Sequence, residues 1–573
     1  MIMNAIISFI QKFYFLIVGL LFSIIASTYI LSFFGIYHPV LFFLLTIILS
    51  GTILFFLFKG SGDSIALKSD DTIESSKKSL LPYVIWISTL LVFLLFIFYP
   101  LSTWPYPSMY SELHWDAGAY HFPKAAEMIS TGSSWDLSIS YGEYPFGYES
   151  LISFLLLIDH QGQLIGLLHA VSSLFFLLSI VFCFKRVLKL SHEIIFMIIV
   201  VMFISNKIVP TFDSNLWWIF WSQLMQIGKN DLILAAASIS ILIFTPRSYE
   251  EDFHPLELSL ASMIAISIKP NGLLIVLFAW SVVLFHVLKR KRFIQHKEAI
   301  ISAITVIPGS LWIFRNLVAQ RVLFSEEALR LSDWSIISNI TNPYFFRYIP
   351  QHMLFIIGIL IMSAIISIFV KSIRFELLTT IVFLISFAMT PASAFFGSTN
   401  EPTQIAWRFA LPLLINVLLL LLLLIEPIIF KIYEMINKNM VLSIVASVTV
   451  IILSFAAVWM NQDLFETNSQ NRIILSDQYH EAVGVDGYHS AYDFVQKNIS
   501  NSIIIIENGL PYYLYDDDFT NSVTRSKPAD YMVFLKTAWI DEGGYPETLS
   551  EITWNEQWNL IYEDPEGRVY QRN

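Results

Sequence analysis

A polytopic α-helical membrane protein ending in a small α/β unit is the fold class this sequence predicts. Composition, the spacing of apolar runs and a change of character after Met460 predict it. Of 573 residues, 56% are hydrophobic and only 14% charged, and the mean hydropathy is +0.64. A chain so poor in charge is not an ordinary soluble protein. Its apolar runs repeatedly approach the ~20 residues that a helix needs to cross a bilayer. Much of the net charge of −11 lies after residue 460, so the basic face that nucleic acid requires is missing.

About 13 candidate spans emerge from that window, at 13–34, 39–58, 81–100, 163–184, 193–209, 230–245, 256–269, 271–288, 299–316, 352–370, 376–391, 408–428 and 440–459. The first lies behind a lone Lys12, is too long for a signal-peptide core and lacks a cleavage site. It is expected to be retained. Lys59, Lys68, Lys77 and Lys78; Lys185, Arg186 and Lys189; Lys289 to Arg292; Lys371 and Arg374; and Lys431 and Lys438 all fall in loops on one side. The positive-inside rule makes that side cytoplasmic, with the N-terminus. The loop 101–162, the segment 210–229, the loop 317–351 and the tail then share the outer face.

The chain divides into a transmembrane part, 1–460, and an extracytoplasmic α/β part, 461–573. In the tail, β-branched runs at Ser502–Ile506 and Tyr531–Leu535 read as strands, and Ser490 to Asn498 reads as a polar helix. Trp558–Tyr562 and Arg568–Gln571 flank a turn-prone Glu-Asp-Pro-Glu-Gly, which predicts a hairpin. The single cysteine, Cys183, rules out a disulfide within the chain and a cysteine metal cluster. Residues 60–80, rich in Ser, Asp and Lys, read as a cytoplasmic linker.

Ionisable groups are expensive at a membrane face unless they line a site. The outer loop gathers Glu112, His114, Asp116, His121, Lys124 and Glu143 among Trp, Tyr and Pro. Asp231 opens one span from the outside, Lys269 sits at a break before Pro270-Asn271-Gly272, Arg315 closes a span and Arg408 begins another. Carboxylates and cations at one rim suit a reaction in which a carboxylate takes a proton and cations hold an anionic phosphate. Each residue also has a plainer reading. Asp116 and Asp231 suit helix N-caps, Lys269 can snorkel, and both arginines can be interfacial anchors. The His114-x-Asp116 spacing is a weak metal signal.

In order along the chain, these motifs resemble the GT-C class of membrane glycosyltransferases, close to the dolichyl-phosphate-mannose protein mannosyltransferase and aminoarabinose transferase group. Trp115-Asp116-Ala117-Gly118-Ala119-Tyr120 is similar to the first-loop acidic motif, followed by Tyr144-Pro145-Phe146-Gly147-Tyr148. Lys229-Asn230-Asp231 is similar to the second acidic position, and Lys269-Pro270-Asn271-Gly272 to the family's helix break. Pro308 through Arg315-Asn316, with Trp312 displaced, resembles a helix end, and Trp407 through Pro412 a later Arg segment. Ala529-Asp530-Tyr531-Met532-Val533 is similar to part of the extracytoplasmic domain. Ala117 stands where many relatives carry a second acid, which leaves Glu112, Glu143 or Asp231 as the partner carboxylate.

The resemblance implies a GT-C-like fold and transfer of a sugar from a polyprenyl-phosphate donor to a lipid, glycan or protein acceptor outside a cytoplasmic membrane, expected to be bacterial. It makes Asp116 the general base, with Asp231 a further catalytic candidate that would orient Lys269 or the sugar. Lys269, Arg315 and Arg408 would grip the phosphate, with Glu112, His114, Tyr120, His121, Glu143 and Tyr144 lining the substrate. No metal ligands are assigned; a divalent metal stays open. Other readings are a polymerase or ligase using pyrophosphate-linked oligosaccharides, a lipid-linked sugar transporter, and an inactive scaffold subunit.

Overall fold

The computed structural model describes residues 2–64, 81–102, 117–137, 141–160, 164–188, 228–248, 253–290, 296–324, 350–388, 409–460, 490–506, 511–516, 518–524, 529–535, 558–564 and 567–573, with a few more at 190–199 and 251. The helices are α1 (Ile2–Phe33), α2 (Pro39–Ser64), α3 (Leu81–Ser102), α4 (Phe122–Thr131), α5 (Gly147–Leu156), α6 (Ile165–Val187), α7 (Asp231–Phe244) and α8 (Pro255–Ile268). They continue as α9 (Asn271–Arg290), α10 (His296–Gln320), α11 (Pro350–Phe369), α12 (Ile373–Ala388), α13 (Leu411–Lys438), α14 (Met440–Met460) and α15 (Ser490–Asn498). A π turn, Ala117–His121, leads into α4.

The chain is a multi-pass membrane protein. Among the described residues, stretches of six helices are long and apolar enough to cross a bilayer: α1, α2, α6, α9, α10 and α13. Shorter apolar stretches lie in α7, α8, α11 and α14. Ile47 and Ile48 of α2, Leu288 of α9, Phe369 of α11 and Phe455 of α14 stay exposed, which suits contact with lipid and not water. The expected span 193–209 lies largely outside the described residues.

Lipid solvates apolar side chains as well as a protein core does, so helices in it associate through close packing and small residues. The buried centre follows that rule. Ala235, Ala236, Ala237, Ser238 and Ser240 on α7, and Ser259, Ala261, Ser262 and Ala265 on α8, are all sealed. Helix α7 packs between α6 and α8, and α8 packs along α10 and α1. Tyr14 on α1 donates to Ser240 Oγ at 2.7 Å, which leaves no bare hydroxyl on either.

Ionised groups collect at the two ends of this centre. Asp231 is the first residue of α7. Beyond its other end, Arg247 meets Glu376 at 2.6 Å and Arg186 meets Glu251 at 3.0 Å. These lie in the segments read as cytoplasmic.

The C-terminal residues form a five-stranded mixed sheet, in the order β2 (Ser522–Thr524), β1 (Ile503–Ile506), β3 (Tyr531–Leu535), β5 (Gly567–Arg572), β4 (Trp558–Glu563). β1 runs parallel to β2 and β3, while β5 is antiparallel to β3 and β4. The predicted helix and the terminal hairpin are both present. β2 is an addition, as are α4 and α5 in what reads as loop from sequence.

Two glycines let backbones meet where the helices break. A Cβ on Gly147 would lie 2.6 Å from the Ser267 carbonyl oxygen, and one on Gly272 would collide with the Ala265 carbonyl. Forced shifts in a packed core cost about 1–3 kcal/mol. Gly147→Ala should therefore lower the thermal midpoint of the detergent-purified protein by that equivalent. An unchanged midpoint would mean that α5 and α8 are not in contact.

Candidate active site at a helix break

Helix α8 stops at Ile268 because Pro270 cannot donate to the ladder and bars its predecessor from helical geometry. Lys269 is extended, at φ −150° and ψ 152°, and α9 restarts at Asn271. A helix ending inside a bundle leaves carbonyls without partners. Here other segments supply donors. Trp312 of α10 donates its indole N–H to Ile266 O at 3.2 Å, and Tyr29 of α1 donates its hydroxyl to Ser267 O at 3.1 Å. That hydroxyl accepts the Phe146 N–H at 2.9 Å, and the two rings stack with centroids 3.8 Å apart. The Tyr144–Tyr148 element is thereby fixed over the break.

Lys269 turns its ammonium to Asp231, and the two form an ion pair with Asp231 almost fully buried. The ammonium also lies 4.4 Å from the centroid of the Phe409 ring, a favourable cation–π position. Asp231 is not the N-cap of α7: Asn230 occupies that position, without a side-chain cap bond. Beside the pair, a narrow crevice is lined by Leu234, Asn271, Ile275, Phe383, Ser386, Phe409, Pro412 and Leu413.

Arg315 is fully buried. Its two Nη atoms donate to Ser134 O and Gly142 O, each at 2.7 Å, and Nε and Nη2 reach Asn316 Oδ1. Its guanidinium also lies 5.2 Å from the Phe146 ring centroid. Asn316 in turn donates to Glu143 O at 2.6 Å and Leu323 O at 2.8 Å. Both residues therefore brace the loop through its carbonyls. Lysine cannot reproduce this fork. Each lost charged hydrogen bond is worth about 1.5–3 kcal/mol, so Arg315→Lys should sharply reduce the yield of folded protein from membranes.

The remaining described candidates surround this loop. Tyr120 lies 4.2 Å from the His121 ring and 4.5 Å from Tyr141. Tyr144 packs on Tyr141 and Phe324. Glu143 is within electrostatic reach of Arg315. Glu112, His114, Asp116 and Arg408 lie outside the described residues, although Ala117 and Phe409, their chain neighbours on the site side, are placed. Among the described residues, no group of three His, Cys, Asp or Glu is arranged to hold a metal.

Sequence reading passed over Tyr29, Glu149 and Glu127. Tyr29 was hidden in an apolar span. Glu149 accepts His121 Nδ1 at 2.9 Å and pairs with Lys124 at 3.3 Å. A carboxylate opening an apolar helix, Gly-Tyr-Glu-Ser-Leu-Ile-Ser-Phe, was its available signal. Glu127 on α4 is buried against the C-terminal sheet. It accepts Tyr515 Oη–H at 2.8 Å, Ser522 Oγ–H at 2.6 Å and the Val523 N–H at 3.4 Å.

Burial pushes the Glu127 pKa up, against the pull of Ser522 and Tyr515. The folded state thus binds its proton more tightly than the unfolded chain does. This contribution to stability is fully present below the ordinary carboxylate pKa of the unfolded chain and is lost as pH rises through the raised folded value. The thermal midpoint of Glu127→Gln should show less of this acid gain than the wild type; parallel curves would refute the assignment.

No family model matches the chain, and no curated protein matches it. It is similar to two crystal structures of ArnT from Cupriavidus metallidurans, one bound to undecaprenyl phosphate and one in the apo state. Both are 12% identical and cover 83% of this chain and 97% of that chain, with TM-scores of 0.43 and 0.45. At TM-scores below 0.5, that likeness carries nothing for the site.

Proposed function

We propose that this chain is a membrane glycosyltransferase that moves a sugar from a polyprenyl-phosphate donor to a hydroxyl or amine on the outer face of the cytoplasmic membrane. The observation behind the reading is the Asp231–Lys269 pair at the α8–α9 break. It joins two of the sequence motifs, and Phe409, the residue that follows Arg408, adds a third beside Lys269. Tyr148, next to Glu149, is within electrostatic reach of Asp231. The neighbouring crevice has a mainly apolar lining, the chemistry that an isoprenoid chain needs.

In this reading Asp116 takes the proton from the acceptor O–H or N–H as that atom attacks the anomeric carbon. The bond from that carbon to the phosphate oxygen breaks, and the polyprenyl phosphate leaves with the electron pair. Lys269 and Arg408 balance the charge on the departing phosphate. Asp231 keeps Lys269 ionised and directed. Arg315, expected from sequence to grip phosphate, is assigned to holding the loop, because its donors are engaged by carbonyls and Asn316. A single displacement without an enzyme nucleophile inverts the anomeric centre.

Loss of a general base costs about 10²–10⁴-fold in rate. Asp116→Asn should lose transfer on that scale with normal membrane levels, and Lys269→Met should weaken donor use. Deleting the protein should cause one polyprenyl-phosphate sugar to accumulate in cell lipid extracts while one surface glycan loses that sugar. Unchanged pools would reject the transferase.

A further inference from the structure

Glu149, His121 and Lys124 are exposed by only 2%, 1% and 3%. One carboxylate oxygen, Oε1, takes both His121 Nδ1 at 2.9 Å and Lys124 Nζ at 3.3 Å. Among the described residues the other, Oε2, is sealed without a hydrogen-bond partner. Lys124 also donates to Pro145 O at 3.3 Å, and the His121 ring stands edge-on to Tyr148 at 4.9 Å. These bonds link the π turn and α4 to the Tyr144–Tyr148 element.

A buried ionic cluster is a costly way to achieve what apolar packing does as well or better. Such retained cost is found where function constrains a site, as well as in structural ion-pair networks. Burial opposes charge on Glu149, yet Lys124 and His121 hold its pKa below the usual carboxylate range, so Glu149 keeps its negative charge.

We propose that Glu149 is a positioning residue for the transfer reaction. Through His121 and Lys124 it sets the register of the π turn against α5, and so holds the Tyr144–Tyr148 element over the α8–α9 break. The proposal rests on the transferase reading and goes beyond it, since it names a residue outside the recognised motifs.

The test complements a deletion strain with Glu149→Gln, Glu149→Asp and the charge-free double variant Lys124→Met/Glu149→Gln. It follows the lipid-linked sugar pool, the membrane protein level, the thermal midpoint and binding of undecaprenyl phosphate in detergent. Transfer by Glu149→Gln should fall about 10–100-fold, the usual effect of losing a supporting partner. Protein level should hold, and the undecaprenyl phosphate Kd should stay within about threefold, below the 1.4 kcal/mol that a tenfold change represents. Glu149→Asp should recover part of the activity, and the double variant none.

Wild-type transfer by Glu149→Gln would overturn the proposal. So would a loss that follows the thermal midpoint and is reversed, together with it, in the double variant. A wild type that neither changes the lipid pools nor binds undecaprenyl phosphate would remove the transferase reading, and this proposal with it. That outcome is read before any variant is compared.

Discussion

The end of α8 inside the bundle is the constraint on which the rest of this architecture depends. A proline two residues after Ile268 stops the ladder where water cannot solvate the released carbonyls. Donors must therefore come from other helices, and Tyr29 and Trp312 provide them. Tyr29 then uses its oxygen to hold the backbone of Phe146. The same break extends Lys269 and turns it to Asp231. One interruption thus fixes the position of the Tyr144–Tyr148 element and of a half-buried cation.

Close approach follows from that arrangement. Gly147 and Gly272 lie where the loop and the restarting helix press on α8, and a methyl group at either would displace backbone. Phe146 lies between Tyr29 on one side and the Arg315 guanidinium on the other. The residues of the Pro-Phe-Gly-Tyr element are therefore accounted for by packing around the break. A charge-bearing helix end could then be set against a substrate without further rearrangement of the scaffold.

Sequence showed the membrane helices because apolar length is a local property. It showed the break at Lys269, because Pro270 and Gly272 are local signals, and it showed the terminal hairpin through its turn residues. It missed β2, which is only three residues long and pairs in parallel across a crossover. It read α4 as part of the loop 101–162, where Lys124 and Glu127 are in fact buried. Their burial comes from distant partners: Tyr515 is 388 positions from Glu127. Asp231 read either as a cap or as an acid that orients Lys269 or the sugar, and the fold sets it against Lys269. Arg315 was legible as important but not in its role, since a sequence cannot show whether a guanidinium faces a ligand or two carbonyls.

Helix α4 shows how these layers depend on one another. Ten residues are too few to hold helical structure alone in water, and this segment carries a buried lysine and a buried glutamate. Lys124 is satisfied by α5 and the Pro145 carbonyl. Glu127 is satisfied by Tyr515, Ser522 and Val523 of the C-terminal unit. Removing either set of partners leaves a charge inside the protein without compensation, a larger penalty than the helix itself can offset. The π turn joined to α4 is therefore stable only while the loop and the sheet both grip it. The C-terminal unit thus belongs to the same mechanical assembly as the break at Lys269, although it contributes no residue to the ion pair there.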